Sequence, residues 1–389
     1  MDFLQTDAQE AIRKGFKNWL AEHLPKQWRN IGKSTLPPHG GEAHIHRSWE
    51  KIMSDHGWAA VHWPIEYGGR GWSMREHLVI QEELGLSGAP EGLNSMGREL
   101  VGPILLKVGT SEQKARFLKN IVQGSEIWCQ GFSEPNAGSD LGSLKTVATL
   151  TENGWSITGQ KIWTSYAADA DFCLLLARAK AEAESAGPIA MYIMPMRVEG
   201  VTVRPIEQIN GKREFCEVFL EDVRLPANSL VGTLKEGWRT ARQVLSVERG
   251  TNKLYRQASF RMELQTVSRL IGNVRETALK LNLQRRAAML NAKLNVLRYR
   301  NFGLVNRLEN GEDLGNGTST HKLYWSELHQ EICELGLDVL ASLPDVTDNH
   351  ARRLLYAYLS SRAETIFAGT SQIQRDIIAR HVLRLPELS

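Results

Sequence analysis

The sequence predicts an α+β protein in three blocks: an N-terminal helical domain over residues 1–123, a middle antiparallel β-domain over 124–232, and a C-terminal helical bundle over 233–389. Three observations carry this. Apolar residues recur at helical spacing near the N-terminus, short apolar and β-branched runs crowd the middle between turn residues, and long stretches free of Pro and Gly follow. A chain of 389 residues exceeds what one hydrophobic core usually serves, so two or three domains are expected.

In the first block Leu4, Ala8, Ile12, Phe16 and Leu20 recur every fourth residue, one face of an amphipathic helix. Pro64, Gly68, Gly69 and Gly71 mark a loop. Ser73 is placed to cap a helix that runs to about Leu86, and Ser111-Glu112-Gln113-Lys114 opens another. In the second block Trp155-Ser156-Ile157-Thr158 alternates apolar and polar. Asp171 to Arg178, Ile189 to Met196 and Val201 to Ile206 are short apolar or β-branched runs. Cys216, Val218 and Leu220 alternate, and Val223 and Leu225 resume the pattern after a slip of one. Turn signals separate these runs at Glu152-Asn153-Gly154, Ser185-Ala186-Gly187-Pro188, Glu199-Gly200 and Asn210-Gly211. In the third block Thr251 to Ile271 and Asn273 to Tyr299 lack Pro and Gly, a helical stretch from about Lys322 stops before Pro344, and a last helix spans about Ser371 to Leu383. A small β-domain between helical ones makes a cleft, and domain junctions are favoured ligand sites.

Charge and composition exclude several classes. Lys and Arg number 47 against 44 Asp and Glu, a net +3 that argues against a nucleic-acid binder, although local basic clusters could hold a phosphorylated ligand. Cys129, Cys173, Cys216 and Cys333 form no CxxC pair and no Cys/His cluster with zinc spacing, so no metal is expected. Each follows a large apolar residue and reads as a reduced, buried thiol, which suits the cytoplasm. The start Met1-Asp2-Phe3-Leu4-Gln5-Thr6-Asp7 lacks the apolar stretch of a signal peptide. The most apolar runs fall far short of the about 20 residues that a membrane-spanning helix needs.

Three segments carry chemistry. Trp128 to Leu141 holds a rigid Glu134-Pro135, then small residues, with the hydroxyls of Ser133 and Ser139 six positions apart. Such a loop offers free backbone N–H groups to carbonyl or phosphate oxygens, and reads equally as a surface turn entering a strand. Gly159-Gln160-Lys161-Ile162-Trp163-Thr164-Ser165 ends a strand with an indole and two hydroxyls. An indole is a flat apolar wall for a ring ligand, or a buried strand tryptophan. In Ile366 to Arg375, Ser371 with Gln374 fits a capping box, and Gly369-Thr370 supplies a sharp entry to a helix. That N-terminus is either an anion site or a plain cap.

In this order the three segments resemble the acyl-CoA dehydrogenase family over essentially the full chain. Gln130 to Asp140 matches the family's first signature, Lys161 to Ser165 its flavin-facing strand, and Gly369 to Arg375 its C-terminal signature. The resemblance implies an acyl-CoA dehydrogenase-like fold and FAD as cofactor. It implies that Phe132 and Ser133 contact the flavin ring, Trp163 stacks on it, and Ser165 reaches its N5. Ser139 would lie near the cofactor or the ligand's pantetheine arm, and Thr370 and Gln372 near the FAD diphosphate. The implied reaction is α,β-dehydrogenation of an acyl-CoA substrate, with an electron-transfer flavoprotein as acceptor.

One departure bears on catalysis. Much of the family takes its base from a Glu immediately before the Gly-Thr of the last signature, where this sequence has Ala368. A methyl group cannot remove a proton, so the chain is inactive or the base comes from elsewhere. Enzymes similar to isovaleryl-CoA dehydrogenase carry it in a Glu-Arg dipeptide early in the C-terminal domain. Here that place reads Leu245-Ser246-Val247-Glu248-Arg249-Gly250. The resemblance thus implies Glu248 as base, Arg249 at the ligand end of the site, and the Ala368 N–H as a donor to the thioester carbonyl. The family's Arg-x-x-Phe-Gly string is absent after Gly250, and Cys333-Glu334-Leu335-Gly336-Leu337-Asp338 replaces its Gln and Gly-Gly stretch. His321 to Leu328 resembles a subgroup acting on branched, steroid side-chain or dicarboxylic acyl-CoAs, some of which are heterotetramers. Homotetramer and heterotetramer both stay open, as does a non-catalytic subunit completing a partner's FAD site.

Overall fold

The computed structural model describes residues 6–29, 43–180, 187–250, 254–343 and 349–386. Leu4, the Ser185-Ala186 half of one expected turn, Thr251 and Pro344 lie outside the described residues. The helices are α1 (Asp7–His23), α2 (Ala43–Asp55), α3 (Met74–Ser87), α4 (Gly102–Val108), α5 (Ser111–Gln123), α6 (Gly237–Gly250), α7 (Arg256–Ile271), α8 (Thr277–Glu309), α9 (Thr318–Ala341), α10 (Asn349–Glu364) and α11 (Ser371–Ile377). The strands are β1 (Trp128–Gly131), β2 (Val147–Thr151), β3 (Gly154–Ser165), β4 (Phe172–Lys180), β5 (Ile189–Pro195), β6 (Val201–Ile206), β7 (Phe215–Leu225) and β8 (Leu230–Val231). Among the described residues no helix is long and apolar enough to cross a membrane.

The chain divides into two units. One comprises residues 1–45, 71–90 and 249–389, the other residues 46–70 and 91–248. In the first, local signals start the helices. Thr6 with Gln9 and Ser73 with Glu76 form capping boxes at α1 and α3, satisfying N–H groups that have no partner within the helix. On α1 the period of four drifts against the 3.6 of a helix: Phe16 and Leu20 are buried, but Ala8 is exposed and Gln9 takes the inward position. Phe260, Leu264, Leu290, Leu294, Trp325 and Ile332 pack the core between α7, α8 and α9. Glu82 of α3 accepts from Arg13 of α1 at 2.7 Å and from Arg298 of α8 at 2.6 Å, tying three helices with one carboxylate. α7 begins at Arg256 rather than Thr251, and α8 begins at Thr277 and runs on to Glu309, so α7 differs from the sequence expectation at one end and α8 at both. The last helix also ends early, α11 giving way to a wider π turn over Ile378–Val382.

The second unit is built on one sheet, ordered β6-β7-β3-β2-β4-β5-β8, with β1 also on β4. The antiparallel expectation holds for β2–β3, β3–β7, β4–β5, β5–β8 and β6–β7. The pairs β1–β4 and β2–β4 are parallel instead. β1 and β2 lie one after the other along the same edge of β4, Trp128–Gly131 beside Phe172–Leu175 and Val147–Thr149 beside Arg178–Lys180. The chain keeps its direction across both, and residues 132–146 leave the sheet between them. Side-chain alternation does not encode strand direction, so the sequence could not show this. β4 and β5 are buried on both faces, with Leu174, Leu176 and Met191 in one core and Leu175, Ala177 and Tyr192 in the other. That explains why they read as continuous apolar runs. On β7 the slip of one is a β-bulge: Cys216, Val218 and Leu220 are buried, Glu221 and Asp222 are exposed, and Val223 and Leu225 are buried again. Asp222 adopts φ +51° there.

Candidate functional site

The segment between β1 and β2 is anchored from below. Gly131 ends β1 where a Cβ would stand 2.8 Å from Cys173 Sγ, so no side chain fits. The Glu134 and Ala137 backbones exchange hydrogen bonds at 3.1 and 3.0 Å, closing a tight turn through Pro135 and Asn136. The Glu134 carboxylate turns inward and accepts from Lys145 N at 2.6 Å, Thr146 N at 2.9 Å and Lys161 Nζ at 2.7 Å. Lys161 is 0% exposed, and its ammonium also donates to the Phe132 carbonyl at 3.1 Å. Burial pulls the Lys161 ammonium below its ordinary pKa while Glu134 works the other way. Burial alone would raise Glu134, but Lys161, Thr146 and Lys145 outweigh it and hold the carboxyl below its usual value. Breaking such a buried pair on one side costs about 3–5 kcal/mol, far more than the ~0–1 kcal/mol of a surface pair, so the loop is firmly held.

β3 supplies a platform beside this loop. Ile162 N–H donates to the Ser133 carbonyl at 3.0 Å, joining loop and strand. Against β7, Lys161 pairs with Val218 but Thr164 with Cys216, so β3 carries one extra residue. The bulge puts Trp163 at φ +59° and turns its indole outward, 56% exposed. A left-handed conformation costs an L-residue roughly 1–2 kcal/mol, which marks the position as one held for a purpose. The reading of Trp163 as a buried strand tryptophan is therefore overturned, because Thr164 takes the inward place. Phe215 meets the indole edge-on at 6.2 Å. Ser165 stands opposite Phe215 and, like Ser133, is half-buried. The Ser133 N–H has no acceptor among the described residues. Phe132 is buried beneath the loop, whereas Ser139 is exposed on it and makes no hydrogen bond among the described residues.

In the other unit, Ala368 at φ +53° and Gly369 at φ +86° form a left-handed turn before α11. The expected capping box of Ser371 with Gln374 does not form. Thr370 is the N-cap, its hydroxyl accepting from Ile373 N at 3.1 Å. The Gln374 side chain instead reaches back over the turn to the Ala368 and Gly369 carbonyls. The N–H groups of Ser371, Ile373 and Gln374 are spent on Thr365 O, Thr370 Oγ1 and Thr370 O, so this helix start offers an anion less than the sequence suggested. Gln372 is exposed on the first turn. The Ala368 N–H has no acceptor among the described residues. Glu248 and Arg249 are half-buried in the last turn of α6.

The structure thus brings Phe132, Ser133, Trp163 and Ser165 together by backbone pairing of the loop with β3. Glu134 and Lys161 were not singled out as a pair by sequence. A signal existed: Trp155, Ile157, Gly159 and Lys161 share a parity on β3, which sends the lysine inward. Cys129, Cys173, Cys216 and Cys333 are free and buried, as expected.

Comparison with known proteins agrees along the chain. The models for the acyl-CoA dehydrogenase N-terminal, middle and C-terminal domains match residues 6–125, 129–223 and 235–383. Acyl-CoA dehydrogenase IpdE1 of Mycobacterium tuberculosis is 36% identical over 97% of this chain and 98% of its own. The IpdE1 protein of Mycolicibacterium smegmatis is 34% identical, covering 97% and 98%. Among solved structures, the ChsE4-ChsE5 complex from Mycobacterium tuberculosis superposes with a TM-score of 0.84 at 28% identity over 100% of both chains. The Tcur3481-Tcur3483 steroid ACAD gives the same TM-score of 0.84 at 28% identity, also over 100% of both.

Proposed function

The chain belongs to the acyl-CoA dehydrogenase family, and on that premise we propose that it oxidises an acyl-CoA thioester to the trans-2-enoyl-CoA with FAD as hydride acceptor and Glu248 as α-proton base. The observation that carries this reading is the outward Trp163 beside a loop whose Ser133 N–H lacks an internal acceptor. A flat exposed indole and an available donor fit a planar heteroaromatic ring with acceptor atoms at its edge. Phe132, Ser133, Trp163 and Ser165 would hold the isoalloxazine. Ser139, Thr370 and Gln372 would lie toward the rest of the cofactor or the pantetheine arm. When bound, FAD supplies a two-electron acceptor for the β-hydrogen.

The chain's own residues would do the rest. The hydrogen beside a thioester carbonyl is weakly acidic, so its removal needs a positioned carboxylate, which Glu248 provides where Ala368 cannot. The charge that develops on the carbonyl oxygen needs donors, and the Ala368 N–H is available for that. Arg249 would serve the ligand end. Replacing Glu248 by Gln is expected to slow reduction of bound flavin by an acyl-CoA at least about 100-fold while FAD stays bound. An unchanged rate would sink the assignment.

Similarity to the Tcur3481-Tcur3483 steroid ACAD favours ring-bearing or branched acyl groups over straight chains. An electron-transfer flavoprotein would take the electrons onward, and blocks ending near residues 123 and 232 would be the functional domains. A second reading has its own support. Ala368 has only a methyl group at the usual base position, and the ChsE4-ChsE5 structure is a complex of two chains. This chain would then be a non-catalytic subunit completing a partner's FAD site in a heterotetramer rather than acting in a homotetramer. Turnover by the purified chain alone decides against it.

A further inference from the structure

The ion pair beneath the loop places a lysine that is 0% exposed against a buried carboxylate. Replacing a buried pair by apolar residues of similar volume is often neutral or stabilising, so stability alone does not account for a fully buried lysine. We propose that Lys161 is a positioning residue that acts through the Phe132–Ser133 peptide, strengthening the Ser133 N–H as a donor and favouring FAD in its two-electron-reduced form. The proposal rests on the FAD reading above.

The Phe132 carbonyl and the Ser133 N–H belong to one peptide unit. Lys161 Nζ donates to the oxygen end of that unit at 3.1 Å. A charged donor at the oxygen draws electron density along the peptide and makes the N–H end a stronger donor. The next peptide is held too, Ile162 N donating to the Ser133 carbonyl at 3.0 Å, so Ser133 is fixed on both sides. The Ser133 N–H has no acceptor among the described residues, which leaves it for a ligand.

The charge is not lost to solvent. Lys161 is 0% exposed, so water does not screen it. Glu134 shares its negative charge with the N–H groups of Lys145 and Thr146 as well as with Lys161. Uptake of two electrons and one proton leaves the flavin ring one negative charge richer. A polarised N–H therefore binds the reduced ring better than the oxidised one.

The test is the midpoint potential of FAD bound to the full-length protein, measured with the affinity for oxidised FAD. Lys161→Met is expected to weaken reduced relative to oxidised FAD about tenfold, a downward shift of about 30 mV for a two-electron couple. Lys161→Gln keeps a donor for the Phe132 carbonyl without the charge, and is expected to give about a threefold change in the same direction. If Lys161→Met does not fold, Lys161→Gln carries the test. A purely structural lysine would lower both affinities equally and leave the potential unmoved, which overturns the proposal. A wild-type chain that takes up no FAD overturns the FAD reading along with it, so the two failures are told apart.

Discussion

Gln374 holds Ala368 in a left-handed turn, its side-chain amide donating to the Ala368 carbonyl at 2.9 Å and to the next carbonyl, of Gly369, at 3.1 Å. Gly369 sits at φ +86°, where an L side chain is strained, and a Cβ there would also push the Gln374 amide nitrogen, 2.4 Å away, off its two carbonyls. Ala368 does not have to be alanine. It bears the steric strain of φ +53° because a buried side chain secures the turn.

Ala368→Gly should therefore stabilise the protein. Relief of left-handed strain is worth roughly 1–2 kcal/mol, and the greater freedom of glycine in the unfolded chain returns about 0.5–1. The net gain is about 0.5 kcal/mol, read as a small rise in urea midpoint. Gln374→Ala should do the opposite, losing about 2 kcal/mol with two hydrogen bonds. A loss of stability in Ala368→Gly would show that the turn is not strained.

Trp163→Ala separates binding from folding. The indole is 56% exposed, so its removal should move the thermal midpoint little. Stacking on a planar ring is worth about 1–3 kcal/mol, which predicts FAD affinity weaker by roughly 5- to 150-fold. Titration of apoprotein with FAD measures it, and unchanged affinity would remove Trp163 from the cofactor site.

His329 on α9 bridges Glu263 of α7 and Glu364 of α10, at 2.8 Å through Nε2 and 2.6 Å through Nδ1. Phe260 stacks on the ring at 3.9 Å. Burial alone would lower its pKa, but Cys333, Glu364 and Glu263 outweigh it and hold the ring well above its ordinary value. A raised folded-state value means stability that is complete below the ordinary 6.5 and lost as pH rises through the folded value. His329→Gln should thus cost roughly 3 kcal/mol at pH 6 and less at pH 9. Urea unfolding of both proteins at the two pH values checks it; a gap that widens with pH would mean the ring is neutral.

Legibility in the sequence followed physical range. Ser73 and its helix were readable because a capping box acts over one turn. The slip on β7 was readable because a bulge shifts parity within one strand. The parallel run of β1 and β2 along β4 was not, since pairing direction depends on where distant segments meet. The residues alone left the outward turn of Trp163 undecided for a related reason: its bulge exists only against the register of β7. Glu263, His329 and Cys333 offer ligand atoms within 4.8 Å of one another, yet showed no spacing signal because Glu263 comes from another helix.

The two ends of the segment 132–146 dock on one strand, first beside Phe172–Leu175 and then beside Arg178–Lys180. β4 therefore works like a rail on which a cassette is mounted at both ends. The rail fixes the frame of everything around it, and the exposed part of the cassette, at Pro135, Asn136, Gly138 and Ser139, can change lettering while Glu134 stays tied to Lys161 of β3. Descent within such a fold is free to revise what the protein recognises while the architecture that presents it stays put.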